Sequence, residues 1–575
     1  MLKFFHSLWF LFRVCVSGPQ GRWGLAQLTL IIAFSLGNLY VSILFIDWNA
    51  DFYNALQEID GPEIVRQVLV FVLLTAVSVG LFLAGRYLKR LLEMRWRQQL
   101  TEYVLTQWLE ESRHWFLKLK ADQQWLDNPD QRIAEDCRIF VQRFLSEGVA
   151  LLIAIVSVVS YVVVLWNLST FPLSFSVFGL AVEIDRYMVW AAPLYVLLSS
   201  SMTHFLGAPL KTLSVKQQRK EADFRFALTH FRENSETIAL ARGEGFEKQV
   251  LRDRFRAIID NWYALTRRDF VLGCFTRPYF QTVLRVPMFL ALPAFIAQKV
   301  TLGGLMQLAS AFSRVVNTLS WFIFNYHSLV ELGAATTRLG QFVDALQTIE
   351  AREPEALKIS ESPDNQLVLS DVRIDSPGGQ TLMRIPQLVL PAGEHLWLRG
   401  ASGIGKSTLF RTIAGLWPYA YGEIQRSGNC VFVGQQGYFP LGSMQAALGY
   451  AATGATDGSA PSEAEQLQVL ENICPDLLEK VPALGETTDL TPYYKKLSGG
   501  QRQQLILARL LFQSADWVFL DEATSAMDTE REFQILKKLQ EALPHATFVF
   551  LAHRAPNVPF SYRTIDLEAF VPVAG

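Results

Sequence analysis

The stretch GASGIGKST, Gly400–Thr408, decides how the chain is read. The apolar run HLWL precedes it at 395–398, and the helix-like LFRTIAGLW follows at 409–417. The spacing G-x-x-x-x-G-K-[ST] between a strand and a helix marks a loop that cradles nucleotide phosphates. Its glycines let backbone amides turn inward toward phosphate oxygens, and the helix behind it offers a positive end. On this reading Gly400, Ala401, Ser402, Gly403, Ile404, Gly405 and Thr408 line the nucleotide. Lys406 holds the β- and γ-phosphates, and Ser407 ligates Mg²⁺. Downstream, ADWVFLDE (515–522) sets an apolar strand before Asp521 and Glu522, so that one carboxylate helps hold Mg²⁺ and the next polarises water. Between these two sites lies LSGGQ, Leu497–Gln501, followed by the helical run RQQLILARLLF.

Working outward, the half before this region is of another kind. The chain has 575 residues, 50% hydrophobic and only 18% charged, against about 25% charged in an average soluble protein. That composition argues against a purely soluble multidomain enzyme. Four stretches lack Asp, Glu, Lys and Arg: Trp23–Ile46, Gln67–Gly85, Gly148–Val182 and Tyr187–Leu210. A spanning helix needs about 20 mainly apolar residues, so these predict spans near 23–46, 64–86, 147–167 and 187–210. Two more, near 274–298 and 305–330, each carry one arginine, Arg285 and Arg314. The membrane domain is therefore expected over 23–345, behind a cytoplasmic interfacial segment at 1–22 in which Arg13 interrupts the apolar run. Lys3, Arg13 and Arg22 precede span one, acidic residues fill the first connection, and Arg86, Lys89, Arg90, Arg95 and Arg97 follow span two. Positive flanks lie inside, which puts the amino terminus and everything after span six in the cytoplasm. The charged connections 86–146 and 211–271 are expected to carry the spans on as cytoplasmic helices.

A formal net charge of −2 argues against a nucleic-acid binder. The five cysteines show neither metal-ligand spacing nor a paired framework. Span six is patterned: at 100° per residue Gln307, Ser310, Arg314, Asn317, Thr318, Trp321, Asn325 and Ser328 share one sector, opposite Leu305, Leu308, Phe312, Val316 and Leu319. Lipid penalises such a polar face, which belongs against protein or a water-filled cavity. The candidate cavity set is Arg285, Arg314, Asn317, Trp321 and Asn325. Residues 346–365, charged and without apolar periodicity, predict a linker. From 366 to 575 short β-rich runs alternate with helical ones, an α/β domain. The Gly/Ala/Ser-rich segment from Gly449 to Gln466 predicts a surface loop.

LSGGQ, taken with the phosphate loop and Asp521–Glu522, resembles the signature of ABC-type nucleotide-binding domains. The resemblance implies further roles. Gln435 matches the glutamine loop that senses Mg²⁺, with Gln436 the alternative by register. Asp528, in SAMD, matches the loop that crosses the dimer interface, and His553, in FLAH, the switch histidine at the γ-phosphate. Glu522 becomes the general base, with His553 stabilising the transferring phosphate. In that family ATP lies between the phosphate loop of one subunit and the signature Leu497, Ser498, Gly499, Gly500 and Gln501 of another. One copy per chain thus implies a homodimer, ATP and Mg²⁺. One departure stands out: the aromatic residue on which many members stack adenine is missing from VRIDSPGGQ (372–380).

The whole chain resembles an exporter-type ABC half-transporter, six α-helical spans followed by an α/β ATPase, built as a domain-swapped homodimer. DWNADFYNALQEID (47–60), RENSETIALARGEGFE (232–247) and AGLWPYAYGEI (414–424) are similar to the SbmA/BacA-related bacterial transporters and the peroxisomal fatty-acyl transporters. That likeness implies a coupling role for Glu236 and Gly245 and an inner-membrane location. It also implies uptake of hydrophilic cargo such as cobalamin, bleomycin or peptides, with lipid or acyl export and a cargo-free regulatory ATPase as alternatives.

Overall fold

The computed structural model describes residues 2–18, 21–121, 128–177, 180–282, 285–350, 357–435, 437–450, 461–478, 491–494 and 496–572. The chain divides into two compact units: Met1–Trp108 with Leu126–Ala345, and Leu109–Trp125 with Leu346–Gly575.

The first unit is helical. Its elements are α1 (Leu2–Val16), α2 (Gly21–Glu58) and α3 (Gly61–Leu109); α4 (Arg113–Ala121) follows in the chain but clusters with the second unit. Then come α5 (Pro129–Gln131), α6 (Cys137–Leu168), α7 (Tyr187–Glu233), α8 (Ser235–Leu240), α9 (Glu244–Thr282), α10 (Val286–Ile296), α11 (Leu302–Leu319) and α12 (Trp321–Glu350). Among the described residues, four helical stretches are long and apolar enough to cross a membrane: Gly21–Glu58, Gly61–Leu119, Pro129–Leu168 and Tyr187–Glu233. The span expected at 147–167 falls within α6, which stops at Leu168; further along the charge-free stretch β1 (Leu173–Val177) pairs antiparallel with β2 (Leu180–Ile184). Pro172 lies in the break, where a missing N–H and a fixed φ oppose continuation. Two expectations need correcting. The span expected at 274–298 is interrupted at Arg285, which lies in a turn at the cap of α10, with Pro287 in the first turn of that helix, a position that suits proline. The span expected at 305–330 is broken at the buried Ser320.

Helix α11 is the packing centre of this unit. Leu305, Leu308, Phe312, Val315 and Val316 are buried, in a cluster shared with Leu39 and Ile46 of α2, Tyr161 and Leu165 of α6, and Ala291 of α10. Gly303 sits so close to α2 that a Cβ there would lie 2.1 Å from the Ala50 carbonyl oxygen. Away from this core, the buried Asp136 carboxylate accepts from Arg338 Nε at 2.8 Å and from Arg132 at 3.1 Å.

The second unit is α/β. Strands β3 (Leu357–Glu361), β4 (Leu367–Asp375), β5 (Thr381–Leu390) and β7 (Ala420–Arg426) form a sheet in the order β3-β7-β4-β5. β3 corrects the expected linker: residues 357–361 pair in parallel with β7, Leu357 opposite Gly422. The larger sheet, in the order β11-β6-β10-β9-β8, combines β6 (Leu396–Arg399), β8 (Cys430–Val433), β9 (Trp517–Asp521), β10 (Thr547–Leu551) and β11 (Arg563–Asp566). Its pairings are all parallel. Every residue of β9 and β10 is buried, as a parallel sheet covered on both faces requires. Helices α13 (Lys406–Ile413), α14 (Met444–Leu448), α15 (Glu463–Ile473), α16 (Thr491–Tyr494), α17 (Gly499–Ala508) and α18 (Thr529–Ala542) complete the unit. The loop expected over 449–466 ends early: Ser462 caps α15 in a reciprocal box with Glu465, and Gln466 is buried. Residues 451–460 of that loop lie outside the described residues.

Register aligns what matters. Leu551 stands opposite both Leu398 and Asp521, and Val433 opposite Leu520. The carboxyl ends of β6, β8, β9 and β10 are therefore level, and ligands of open α/β sheets bind at such ends.

Candidate functional site

Each of those four strand ends delivers one part of a site. β6 leads into the phosphate loop, where Gly403 and Gly405 take φ of +82° and +105°, the left-handed backbone that glycine adopts without a Cβ penalty. α13 starts at Lys406, so the loop ends on a helix amino terminus. Lys406 is buried, and its Nζ donates to the carbonyls of Gly400 (2.6 Å) and Ala401 (3.0 Å) and lies 3.4 Å from His553 Nδ1. A lysine that spends its donors on the rim of its own loop is pre-positioned over it.

β9 ends in Asp521 and Glu522. Asp521 is buried, and that burial raises its carboxyl above the usual range, while a hydrogen bond with the Ser407 side chain acts the other way. Glu522 has φ +50°, uncommon for a residue with a Cβ. Its amide donates to Leu551 O at 2.9 Å, extending the strand ladder by one residue. Its two carboxylate oxygens are both engaged, Oε2 by Gln435 Nε2 at 2.8 Å and Oε1 by His553 Nε2 at 3.1 Å. Lys406, His553, Glu522 and Gln435 thus form one continuous chain of contacts across four strand ends. Gln436 lies outside the described residues, and Gln435 is the glutamine seen to join the site.

The signature segment is built separately. Ser498 caps α17, its Oγ accepting from Gln501 N at 3.2 Å while its own amide donates to Gln501 Oε1 at 3.0 Å. Gly499 and Gly500 fit under the turn after Glu522: a Cβ at 500 would lie 2.9 Å from the Ala526 carbonyl oxygen. Asp528 caps α18, accepting from Arg531 N at 2.8 Å.

Several residues had escaped the sequence reading. Gln503, two positions past the signature, donates to Glu522 O (3.3 Å) and Ser525 Oγ (3.3 Å) and accepts from Ala526 N (3.0 Å). It ties the signature helix to the backbone of the catalytic strand end. Trp397 donates to Ala552 O at 3.1 Å, fixing the residue before His553. Past Gln435, the buried Arg509 donates to Tyr438 O at 2.7 Å with its guanidinium 4.5 Å from the Phe439 ring; burial lowers it to about 10. Only their helix or strand phase was visible in the sequence, because their partners lie far along the chain. Helix α4 belongs here too: Trp115 Nε1 donates to Leu416 O at 2.7 Å and Arg411 stands 5.6 Å from its ring. The turn 376–380, where an adenine-stacking aromatic was missing, is closed by Ser376 N donating to Gln380 O at 2.7 Å.

In the helical unit, the polar sector of α11 divides. Gln307 donates to Asp47 at 3.0 Å and Asn49 to Ser310 at 3.2 Å, both on α2. Arg314 and Asn317 are exposed, whereas the opposite face is buried. Trp321 and Asn325 are half-buried on α12, joined by Asn325 Nδ2 donating to Trp321 O at 2.9 Å. Arg285 is exposed at the cap of α10. Glu236 is exposed in the first turn of α8, and Gly245 opens α9 beside a cleft of about 1050 Å³ lined by Phe224, Leu228 and Phe231.

Comparison with known proteins agrees with this division. Residues 11–296 match the family described as ABC transporter transmembrane region 2, and residues 384–525 match ABC transporter. The chain is 31% identical over 525 residues to the inner membrane ABC transporter ATP-binding protein YddA of Escherichia coli K12, covering 91% of each. It is 27% identical to the chloroplastic ABC transporter D family member 2 of Arabidopsis thaliana, over 95% of this chain and 83% of that one. It is 24% identical to the human lysosomal cobalamin transporter ABCD4, over 88% of this chain and 85% of that one. A helical membrane region followed by an ATP-binding domain, with the phosphate loop, LSGGQ and Asp521–Glu522 in order, places the chain in the ABC transporters, as a half-transporter whose ATPase is coupled to transport across the membrane.

Proposed function

We propose that the protein is a homodimeric, ATP-driven importer of a hydrophilic compound, seated in the inner membrane with its amino terminus and ATPase domain in the cytoplasm. The observation that carries the cargo reading is α11: its apolar face is spent on the core while Arg314 and Asn317 remain exposed. A lipid path would favour an apolar lining, whereas a cationic and amide-bearing face suits a water-filled one. The curated cobalamin relative and the inner-membrane relative support the same reading.

At the ATP site, Glu522 is the general base for the attacking water, and Gln435 and His553 hold its carboxylate in place. Phosphoryl transfer asks mainly for positioning and charge stabilisation. Lys406 supplies positive charge at the phosphates, and His553, within reach of both Lys406 and Glu522, stands where the transferring phosphate gathers charge. The Ser407 hydroxyl and the Asp521 carboxylate are oxygen donors of the kind a hard divalent cation takes, and Gln435 is the third candidate. Mg²⁺ held there would neutralise charge on the β- and γ-oxygens. Ser498, Gly499 and Gly500 close the site from the partner chain, and Asp528 crosses the interface. Glu236 and Gly245 couple closure of the ATPase to the membrane region.

The test is cargo uptake. Replacing Arg314 and Asn317 with leucine should lower uptake of cobalamin and abolish its stimulation of ATP hydrolysis. Unchanged uptake would reject the polar face as the cargo path.

A further inference from the structure

A second feature of the helical unit has a different chemistry. Between α2, α3 and α6 lies a cavity of about 450 Å³ whose two ends differ in polarity. On α3 its lining changes from Leu81 and Phe82 to Arg86, Lys89 and Arg90, across the point where the charge-free stretch Gln67–Gly85 ends. α6 changes in the matching sense, from Ile153 and Val149 at one end to Ser146 and Gln142 at the other. The two polar ends are one place, since Lys89 Nζ donates to Ser146 Oγ at 2.8 Å. Polar groups in the apolar part are already satisfied within the fold: Ser78 donates to Asn38 at 2.6 Å and Ser35 to Ile31 O at 2.8 Å. Of the charged lining residues, the carboxylate of Glu93 is paired with Arg90 at 2.9 Å. Arg86 is left as positive charge at the mouth, and Lys89 beside it faces the carboxylates of Glu93 and the buried Glu147.

We infer that this groove binds an anionic phospholipid, its phosphate at Arg86 and Lys89 and an acyl chain laid along Phe34, Leu81 and Phe82. Three facts select that occupant. The groove follows helices long enough to cross a membrane, its apolar end is suited to a hydrocarbon chain, and its cations stand where the apolar run gives out. Basic pockets between membrane helices recognise anionic headgroups in this way, and each cation near the surface is worth about fivefold in affinity. A free phosphate would use the cations alone and gain nothing from the apolar end. The inference takes from the proposed orientation only which leaflet supplies the lipid.

The test uses the full-length chain in phosphatidylcholine nanodiscs carrying a trace of spin-labelled phosphatidylglycerol, with spin-labelled phosphatidylcholine as reference. The readout is the motionally restricted fraction of each label, taken without ATP or cargo, so failure here leaves the transport proposal standing. The phosphatidylglycerol label should be preferred, and Arg86→Gln and Lys89→Gln should each lower that preference by about fivefold. Gly85 leaves room for a Cβ 3.6 Å from that of Phe34, so Gly85→Leu should fill the groove and release the label with both cations intact. Arg22→Gln, which removes an exposed cation outside the lining, should change nothing. Equal restriction of the two labels would overturn the inference. So would equal loss in Arg22→Gln, or displacement of the label by soluble glycerol phosphate.

Discussion

The two units place polar chemistry in opposite ways. In the ATPase unit it sits at the ends of parallel strands, where backbone register sets the position of each side chain to within one residue. In the helical unit it lies along one face of a helix, where position depends on which neighbour takes the other face. The strand-end arrangement yields a connected set of contacts from Lys406 to Gln435 inside one chain. The helix-face arrangement leaves Arg314 and Asn317 exposed. Rigid positioning suits chemistry that must be repeated on one substrate, and an open polar face suits a cargo that enters and leaves.

The largest expected effect attacks the strand-end side. Glu522→Gln keeps the shape and the contact with Gln435 but removes the base, so ATP turnover should fall about 10³-fold, with nucleotide binding retained in a filter or fluorescence assay. Retained turnover would break the contrast, because the site would then not depend on its most tightly held side chain. Next is a buried charge in the helical unit. Asp136→Ala leaves Arg132 and Arg338 without their acceptor and should cost about 3 kcal/mol, read as a shift in the unfolding midpoint of the purified chain in detergent. An unchanged midpoint would mean that this unit does not rely on its buried ion pairs.

Smaller again is the helix-face test. Arg314→Leu combined with Asn317→Leu should lower uptake by about tenfold, the size of one lost charge-assisted hydrogen bond. The smallest effect sharpens the ATPase side through pH. Burial lowers the pKa of His395, whose Nδ1 accepts from Phe548 N at 3.2 Å and whose ring lies 4.1 Å from that of Phe560. The folded ring therefore stays neutral below about pH 6.5, where the unfolded chain takes up a proton. Stability should fall as pH drops through that value and level off once the folded ring also protonates. His395→Asn, which keeps an acceptor but no titration, should flatten that part of the pH profile of thermal unfolding.

How much was legible follows the same divide. The phosphate loop, Asp521–Glu522 and LSGGQ are contiguous in sequence, so short-range spacing revealed them, and the apolar run before Asp521 announced the strand that carries the two carboxylates. Gln503, Trp397 and Trp115 were not legible because each acts on a backbone carbonyl distant in sequence, which any residue type supplies. In the helical unit, charge counting located the long apolar stretches and the end of the third span, but not the interruptions in the fifth and sixth. Pro287 and Ser320 stand beside and at those two, and neither carries a charge. The strand β3 was hidden for a related reason: LKISE has one buried-facing apolar edge and four exposed positions, which reads as a linker until β7 lies beside it.

The central claim, that ATP hydrolysis at the strand-end site drives a hydrophilic cargo toward the side that holds the ATPase, is tested most directly in sealed vesicles containing only this protein, with ATP enclosed alongside the ATPase domain. Labelled cobalamin outside should accumulate inside in the unaltered protein and fail to accumulate with Glu522→Gln. Accumulation that persists in Glu522→Gln, or movement of cargo out of the ATP-containing side, would contradict it.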